Sequence, residues 1–225
     1  MNLRSFHVVG GIALLAMLAV AAWGIAQVGA GAQVPIHWNV QGEPNGFAPA
    51  WLGFLLIPVI TAGIVVLMTV IPRIEPRREN LRRSAPAYRT MTVALVVLMA
   101  AIQAVVVLSG TGMVIPVGYV VGIGVGALFV IIGNVLATVR SNFMFGVRTP
   151  WTLSSDRSWD RTHRLVGRLF VLTGILMIVL ALTGALWLVM GGMLVLLTVT
   201  LATGYWYSYK QWQADPDRRP TGSGA

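Results

Sequence analysis

Residues 142–170 have the sequence NFMFGVRTPWTLSSDRSWDRTHRLVGRLF, a polar and basic run between two very hydrophobic stretches. The first part, around Gly146 and Pro150, is typical of irregular structure. The second part predicts an amphipathic helix, because two sets of residues repeat at helical spacing and lie on nearly opposite sides. One set is Arg157, Arg161, Arg164 and Arg168, and the other is Trp159, His163, Val166 and Phe170. Crossing a bilayer requires no such segment, so we treat it as a candidate functional centre.

The composition around this run is that of an integral membrane protein. Of the 225 residues, 56% are hydrophobic and only 10% are charged, whereas a soluble domain carries about 25% charge. The mean hydropathy is +0.78. There are no cysteines, which excludes disulfides, thiolate metal sites and a cysteine nucleophile. The net charge of +9 is not gathered in a soluble basic domain, so direct nucleic-acid binding is not predicted.

Six hydrophobic segments are long enough to cross a bilayer. Residues 8–29 could instead be the core of a signal peptide, with Ala30-Gly31-Ala32 as the cleavage site, but their length favours a membrane helix. Gly191-Gly192 is the predicted turn between the fifth and sixth spans. The predicted spans are 8–29, 51–72, 90–109, 114–137, 166–188 and 193–209.

The basic residues predict the orientation. All 16 Lys and Arg residues lie in the N-terminal leader, in the connections between spans two and three and between spans four and five, or in the C-terminal tail. The positive-inside rule therefore predicts that both termini are in the cytoplasm. Most of these arginines are explained by anchoring to anionic lipid at helix ends.

The predicted fold class is an all-α integral membrane protein with six transmembrane helices. It has a small extracytoplasmic loop cap and an amphipathic cytoplasmic helix before helix five. The predicted domain organisation follows the chain: an N-terminal two-helix unit at 1–72 with the extracytoplasmic loop 31–50, a basic cytoplasmic loop at 73–89, a four-helix unit at 90–213 with a cytoplasmic motif at 142–168, and a disordered tail at 214–225.

The membrane interior lacks the groups of an ion-coupled machine. No Asp, Glu, Lys or Arg lies in the middle of a predicted span, and transporters and proton relays usually place such groups there. Gln103 and Asn134 are predicted to hydrogen-bond between helices. Gly118, Gly122 and Gly126 repeat every four residues and predict a smooth face for close helix packing, within one chain or between two.

The extracytoplasmic loop contains a second polar cluster. Alternation over residues 36–40 predicts a short strand, and residues 42–46 have turn chemistry. His37 and Glu43 could bind a metal or act as an acid–base pair, but zinc sites need three or four protein ligands. The favoured interpretation is a small structured cap without a metal, in which His37 and Asn39 form hydrogen bonds.

The cytoplasmic motif combines several local signals. Ser154 or Ser155 can cap the amphipathic helix, and Asp160 and Arg164 form an i,i+4 pair. Arg148 lies in an irregular turn, where it is well placed to bind carboxylates, lipid phosphates or helix C-termini.

Trp159 and His163 are four residues apart and are predicted to touch. Packing of the helix onto the bundle is the competing explanation for this pair. No Ser–His–acid array or paired carboxylate is evident, so we predict neither a catalytic site nor a cofactor.

Two motifs resemble the SdpI family of bacterial immunity proteins. The cytoplasmic motif carries the resemblance to that family, and the loop motif resembles an N-terminal domain of unknown function often fused to it. The residues concerned are Asn142, Gly146, Arg148, Thr149, Pro150, Trp151, Trp159, His163 and Gly167 in the cytoplasmic motif, and Pro35, His37, Asn39, Gly42 and Glu43 in the loop motif.

The resemblance implies a multi-pass protein of the bacterial plasma membrane that protects its producer from a secreted antimicrobial peptide toxin. It also implies possible signal transduction, in which the protein holds a small transcriptional repressor at the membrane. The expected partners are membrane lipids, a peptide toxin outside and a repressor inside, with the oligomeric state left open. The alternatives are a small transporter or lipid-handling protein, and a membrane enzyme using His37 with Glu43 or Arg148 with His163.

Overall fold

The protein, seen in a computed structural model, is described from residue 4 to residue 221; residues 222–225 of the predicted tail lie outside the described range. Six of its helices are long and apolar enough to cross a membrane, which confirms the predicted helical membrane fold with six spans. The predicted amphipathic helix is not separate from the fifth span, because one helix runs from Asp156 to Ala181. The elements in chain order are α1 Arg4–Val28, β1 Gln33–Trp38, β2 Pro44–Pro49, α2 Ala50–Ile74, α3 Arg78–Arg83, α4 Ala85–Gly110, α5 Val117–Leu136, α6 Pro150–Leu153, α7 Asp156–Ala181 and α8 Leu186–Gln213.

The long helices form two packed groups. Helices α1, α2 and α4 contact one another, as do α5, α7 and α8, and α4 against α5 joins the two groups. In the first group Gln103 of α4 donates to the carbonyl of Phe54 in α2 at 2.9 Å, which confirms its predicted role between helices. Asn134 differs from expectation, because it lies exposed on α5.

The glycine face of α5 packs against α7 of the same chain. A Cβ added to Gly126 would lie 2.7 Å from the carbonyl oxygen of Gly174, and one added to Gly133 would lie 2.5 Å from that of Gly167. Only glycines allow backbones to approach this closely. The glycine stripe therefore serves packing within one chain. We call this crossing the glycine seam.

The turn between the last two long helices is not at Gly191-Gly192, as the sequence predicted. Helix α7 ends at Ala181, and Gly184 provides the left-handed turn with φ +74°. The glycine pair lies inside α8, where Gly192 is packed against Leu180. A Cβ at Gly192 would meet the end of the Leu180 side chain, while one at Gly191 would meet nothing within 4 Å, and neither glycine makes a turn.

The molecule has two distinct ends. At the hairpin end, β1 and β2 pair antiparallel over the ends of α1, α2 and α4. Val34 of β1 is buried there with Phe54 and Val107. The basic end gathers the α2–α4 connection, the α5–α7 connection and the end of α8. The assignment of the basic end to the cytoplasm stays a prediction.

Part of the segment after α8, which the sequence predicted to be disordered, makes specific contacts. The hydroxyl of Ser155 donates to the carboxylate of Asp215 at 2.5 Å, and the amide of Arg219 donates to the carbonyl of Ser154 at 3.0 Å. The Arg218 guanidinium lies 5.2 Å from the Trp212 ring centroid. These contacts hold residues 215–219 beside the start of α7.

Candidate functional site

Asn142 shapes the segment that leaves α5. Its side chain is fully buried. The Oδ1 atom accepts hydrogen bonds from the amides of Met144 and Phe145 at 2.9 and 2.8 Å, and Nδ2 donates to the carbonyl of Arg140 at 2.9 Å. An asparagine satisfied on both sides fixes a turn that an apolar side chain of the same size could not hold.

His163 ties this segment to α7. Its Nδ1 lies 2.8 Å from the carbonyl oxygen of Trp159, and its Nε2 lies 3.0 Å from the amide nitrogen of Val147. A carbonyl can only accept and an amide N–H can only donate, so the ring is neutral with its proton on Nδ1. Because the side chain is also fully buried, both nitrogens are committed to holding the backbone.

Trp159 completes the pair with His163. The two rings stack with centroids 4.0 Å apart and an interplanar angle of 20°, which confirms the predicted contact. The indole Nε1 donates to the carbonyl of Val139 at 2.7 Å. Trp159 also packs with Ala87 of α4 in a buried cluster. This one side chain therefore joins α4, the end of α5 and α7.

Gly146 lies where the connecting segment crosses the two rings. Its φ is +111°, a backbone conformation that other residues rarely adopt. A Cβ at this position would lie 2.5 Å from Nε2 of His163 and 3.3 Å from the Trp159 ring. Both the backbone angle and the space therefore require glycine.

The following residues form a short capped helix, α6. Thr149 is its N-cap and accepts from the amide of Thr152 at 3.1 Å, while the Thr152 hydroxyl accepts from the amide of Thr149 at 2.9 Å. Pro150 occupies the first helical position, where the absence of an N–H is harmless. The Thr149 hydroxyl also donates to that of Ser208 at 3.0 Å, so the cap is bonded to α8.

Aromatic and polar contacts extend the attachment to α8. The Trp151 ring lies 4.8 Å from that of Tyr205 and 5.0 Å from that of Tyr209, centroid to centroid. From α7, the Ser158 hydroxyl donates to the carbonyl of Ser208 at 2.7 Å.

The start of α7 follows one local prediction and departs from another. Ser155 caps the helix by accepting from the amide of Ser158 at 2.9 Å, as expected. The Asp160–Arg164 pair is not an ion pair, because the Arg164 guanidinium donates to the backbone carbonyl of Asp160 at 3.2 Å.

Two residues that sequence reasoning missed clamp the segment from the α2 side. Glu75 is fully buried. Its carboxylate accepts from the amide of Phe143 at 3.1 Å and from that of Arg77 at 2.8 Å. The Arg77 guanidinium donates to the Ser141 hydroxyl and to the carbonyl of Leu153 at 3.1 Å. The one available signal was an acidic residue placed directly after a span, within a run otherwise explained by lipid anchoring.

The rest of the α2–α4 connection adds to this clamp. The Asn80 side chain donates to the carbonyl of Ser141 at 2.8 Å, and the Ser84 hydroxyl accepts from the amide of Arg140 at 2.8 Å. We call Glu75, Arg77, Asn80 and Ser84 the α2–α4 clamp.

Arg148 stands apart from these buried residues because its side chain is exposed. Its guanidinium donates to the carbonyl of Phe143 at 2.5 Å. Gly167 also lies away from the loop, in the glycine seam against Gly133. The predicted motif residues thus divide into a buried network, an exposed arginine and a helix-packing glycine.

The loop motif forms the β-hairpin at the other end. His37 Nδ1 lies 2.6 Å from the Asn45 side-chain oxygen. Asn39 donates to the Glu43 carboxylate at 3.1 Å and accepts from the Glu43 amide at 2.9 Å. His37 and Glu43 therefore each bond to an asparagine instead of forming the acid–base pair considered from sequence. Gly42 makes the turn with φ +85°.

Pro35 lies in β1 opposite Phe47 of β2. The loop motif and the cytoplasmic motif are thus at opposite ends of the helices. Within residues 4–221, no three His, Cys, Asp or Glu side chains are grouped so that they could hold a metal ion.

These features define the class, a multi-pass α-helical membrane protein with a hairpin cap at one end and a hydrogen-bonded connection between α5 and α7 at the basic end. We call this connection, residues 137–155, the inner segment after its predicted orientation. Residues 138–205 match the SdpI/YfhL protein family, and residues 12–62 match a domain of unknown function, DUF1648. Each matched region contains one of the two motifs.

The chain is 28% identical over 178 residues to immunity protein SdpI of Bacillus subtilis (strain 168), an alignment that covers 79% of this chain and 83% of the relative. The predicted resemblance to the SdpI family is therefore confirmed, and the chain is a multi-pass protein of the bacterial plasma membrane. No solved structure matches it.

Proposed function

We propose that this protein is a membrane immunity protein that protects the cell making it from a secreted antimicrobial peptide toxin. The observation that carries the proposal is the alignment with the Bacillus immunity protein, which covers most of both chains. The match to the SdpI/YfhL family over residues 138–205 agrees with it.

The hairpin is the proposed contact for the toxin. In the predicted orientation it faces outward, where a secreted peptide arrives. Val40 and Phe47 are 49% and 56% exposed, beside the exposed polar side chains of His37 and Glu43. Exposed apolar groups rimmed by polar ones are typical of a binding surface, and they suit a peptide that attacks membranes.

The basic end is the proposed place for signalling, through a small transcriptional repressor held at the membrane. The exposed arginines of α7 offer an attractive field for an acidic partner surface. They lie on a helix fixed to α5 and α8, so a change in helix packing would alter the surface they present. The exposed members of this surface are Arg157, Arg161, Arg164 and Arg168.

The proposed role is binding rather than catalysis. His163 has both ring nitrogens hydrogen-bonded to backbone groups, and His37 is bonded to Asn45. A general base needs a nitrogen within reach of a substrate proton, and the buried His163 ring offers none.

Protection can be measured directly. A naive bacterial strain expressing the protein and the same strain with an empty vector are exposed to a panel of purified secreted membrane-active peptides. We expect expression to raise survival against at least one peptide of the panel. Equal killing of both strains by every peptide, with the protein present in the membrane, would overturn the immunity function.

Arg148→Ala tests the exposed arginine of the inner motif. We expect it to abolish protection, because the substitution removes the charge and the bond to the carbonyl of Phe143 while leaving the buried network intact. Arg164→Ala is the matched control, since its guanidinium also donates to a backbone carbonyl at the basic end. Normal protection by a well-expressed Arg148→Ala variant would contradict the prediction.

A further inference from the structure

An apolar groove of about 660 Å³ lies between α4 and α8 at the basic end. These two helices do not pack against each other along their described lengths. The groove walls come from Met91 of α4 and Leu201 and Ala202 of α8, and Ile132 of α5 and Phe170 of α7 also line it. Each of these side chains is apolar, so the groove suits a hydrocarbon chain.

The groove is also lined by residues 146–149 of the inner segment, including Arg148. The bond to the carbonyl of Phe143 positions the Arg148 guanidinium. Within residues 4–221 the ion pairs join Glu79 to Arg82 and Arg83, so no carboxylate neutralises Arg148. One end of an apolar groove thus carries an uncompensated cation with hydrogen-bond donors to spare.

The edge of the groove carries exposed residues of the kind found at the surface of a bilayer. Leu201 is 58% exposed and Tyr205 is 57% exposed. Tyrosine is enriched where the hydrocarbon core meets the headgroups. Because α4 and α8 are membrane-crossing helices, the opening between them faces lipid.

From this juxtaposition we propose that the groove binds one anionic phospholipid, with an acyl chain between α4 and α8 and the phosphate on the guanidinium of Arg148. The acyl chain gains van der Waals contact with the apolar side chains that line the groove. Arginine binds phosphate through two parallel hydrogen bonds, which gives selectivity for the acidic headgroup. The proposal does not depend on the immunity function.

Arg164, at the same end of the molecule, lacks this combination. Arg164 is exposed and bonded to the carbonyl of Asp160, and the depressions beside it are lined mainly by charged and polar groups. General attraction of cations to an anionic leaflet would act on Arg164 as well as on Arg148. Binding in this groove would depend on Arg148 and not on Arg164, so the two arginines form a matched pair.

The test uses the full chain purified in detergent, with retained lipid counted by native mass spectrometry. Phosphatidylglycerol and phosphatidylcholine with identical acyl chains are added separately. We expect one phosphatidylglycerol to be retained with about fivefold preference, the size of one cation–headgroup interaction. Arg148→Gln should remove the preference, Arg148→Lys should keep part of it, and Arg164→Gln should leave it unchanged.

A second pair of variants tests the groove itself. Ala202→Phe fills the space and should abolish retention of the lipid, whereas Val195→Phe adds the same ring at a position on α8 that is 61% exposed and should not. Equal retention of both lipids would overturn the proposal. So would an unchanged preference in Arg148→Gln, or equal effects of the two phenylalanines. If Arg148→Gln fails to fold, the phenylalanine pair decides.

Discussion

His163 and Thr162 are adjacent buried residues on α7 whose polar atoms are satisfied differently. His163 bonds through both ring nitrogens, whereas the hydroxyl oxygen of Thr162 is buried with no hydrogen-bond partner. Removing one partner of a buried hydrogen bond costs the desolvation of the other, while removing an unbonded polar atom costs little. Substitutions at the two positions are therefore expected to affect stability differently.

His163→Phe should keep the stacking on Trp159 but leave the partly buried amide of Val147 without its acceptor. We expect a loss of about 1–3 kcal/mol of stability, measured as a lower Tm of the purified protein in detergent. Thr162→Val is the control, and its Tm should stay the same or rise. A His163→Phe variant as stable as wild type would show that the Nε2 bond does not hold the inner segment.

Glu75 and Glu79 give a second contrast between a buried and an exposed carboxylate. Glu75→Gln keeps one acceptor oxygen but loses the charge that strengthens the bonds from the amides of Phe143 and Arg77. We expect a drop in stability of about 1–3 kcal/mol. The readout is again the Tm in detergent.

Glu79→Gln is the matched control. Hydrogen bonding from Arg82 lowers the pKa of this exposed carboxyl, but exposed ion pairs contribute little to stability. We expect no measurable change in its Tm. If both variants melt alike, Glu75 has no special role in the clamp.

At this scale the sequence was most informative where residue type dictates local geometry. The cap at Ser155 and the irregular backbone around Gly146 follow from backbone chemistry that the local sequence reveals. The clamp did not follow, because Glu75 meets Phe143 across 68 positions of the chain. A separation of that size leaves no periodic signal.

Among the elements, α5 and α7 form the closest crossing. The repeat of Gly118, Gly122 and Gly126 predicted a face for close packing but not its partner, because spacing defines one helix surface only. In the structure, Gly167 and Gly174 of α7 lie against the glycine face of α5.

Gly133→Val should force the seam apart, because its Cβ would lie 2.5 Å from the carbonyl oxygen of Gly167. We expect a loss of about 1–3 kcal/mol from overpacking, seen as a lower Tm and less monodisperse protein in size-exclusion chromatography. Gly191→Val in α8 is the control, since a Cβ there meets nothing within 4 Å. Wild-type behaviour of Gly133→Val would mean that the helices can separate without cost.

Two elements were not predicted from the sequence, and each has a physical reason. Strand β2, Pro44–Pro49, contains no β-branched residue and begins and ends with proline, so composition gives no strand signal. The turn at Gly184 lies in an apolar stretch with no break in polarity, and the glycine pair at 191–192 offered a stronger but misleading signal. In a membrane helix, glycine is as much a packing residue as a turn residue.

For the whole molecule, the hydrophobic segments predicted six spans and the arginines predicted their orientation. Within residues 4–221 the structure has six helices that can cross a membrane. The inner site gathers the two basic connections and the end of α8. The positions of the arginines could not predict the hydrogen bonds that join these segments, because those bonds connect side chains far apart in sequence.

The predicted orientation can be tested because the chain has no cysteine. Gln41→Cys in the hairpin should react with an impermeant maleimide on intact cells. Thr138→Cys at the basic end should react only after permeabilisation. The reverse labelling pattern would place both termini outside and would remove the basis for toxin contact at the hairpin.

The glycine seam also bears on how the chain is assembled during synthesis. Helix α5 is the long helix made immediately before α7, and the two backbones approach each other closely at the glycine seam. The pair can therefore form in the bilayer before α8 has been translated, closing the inner segment between them at the same time. Seam substitutions should then act at biogenesis as well as on the Tm, so a cell would also receive fewer finished molecules.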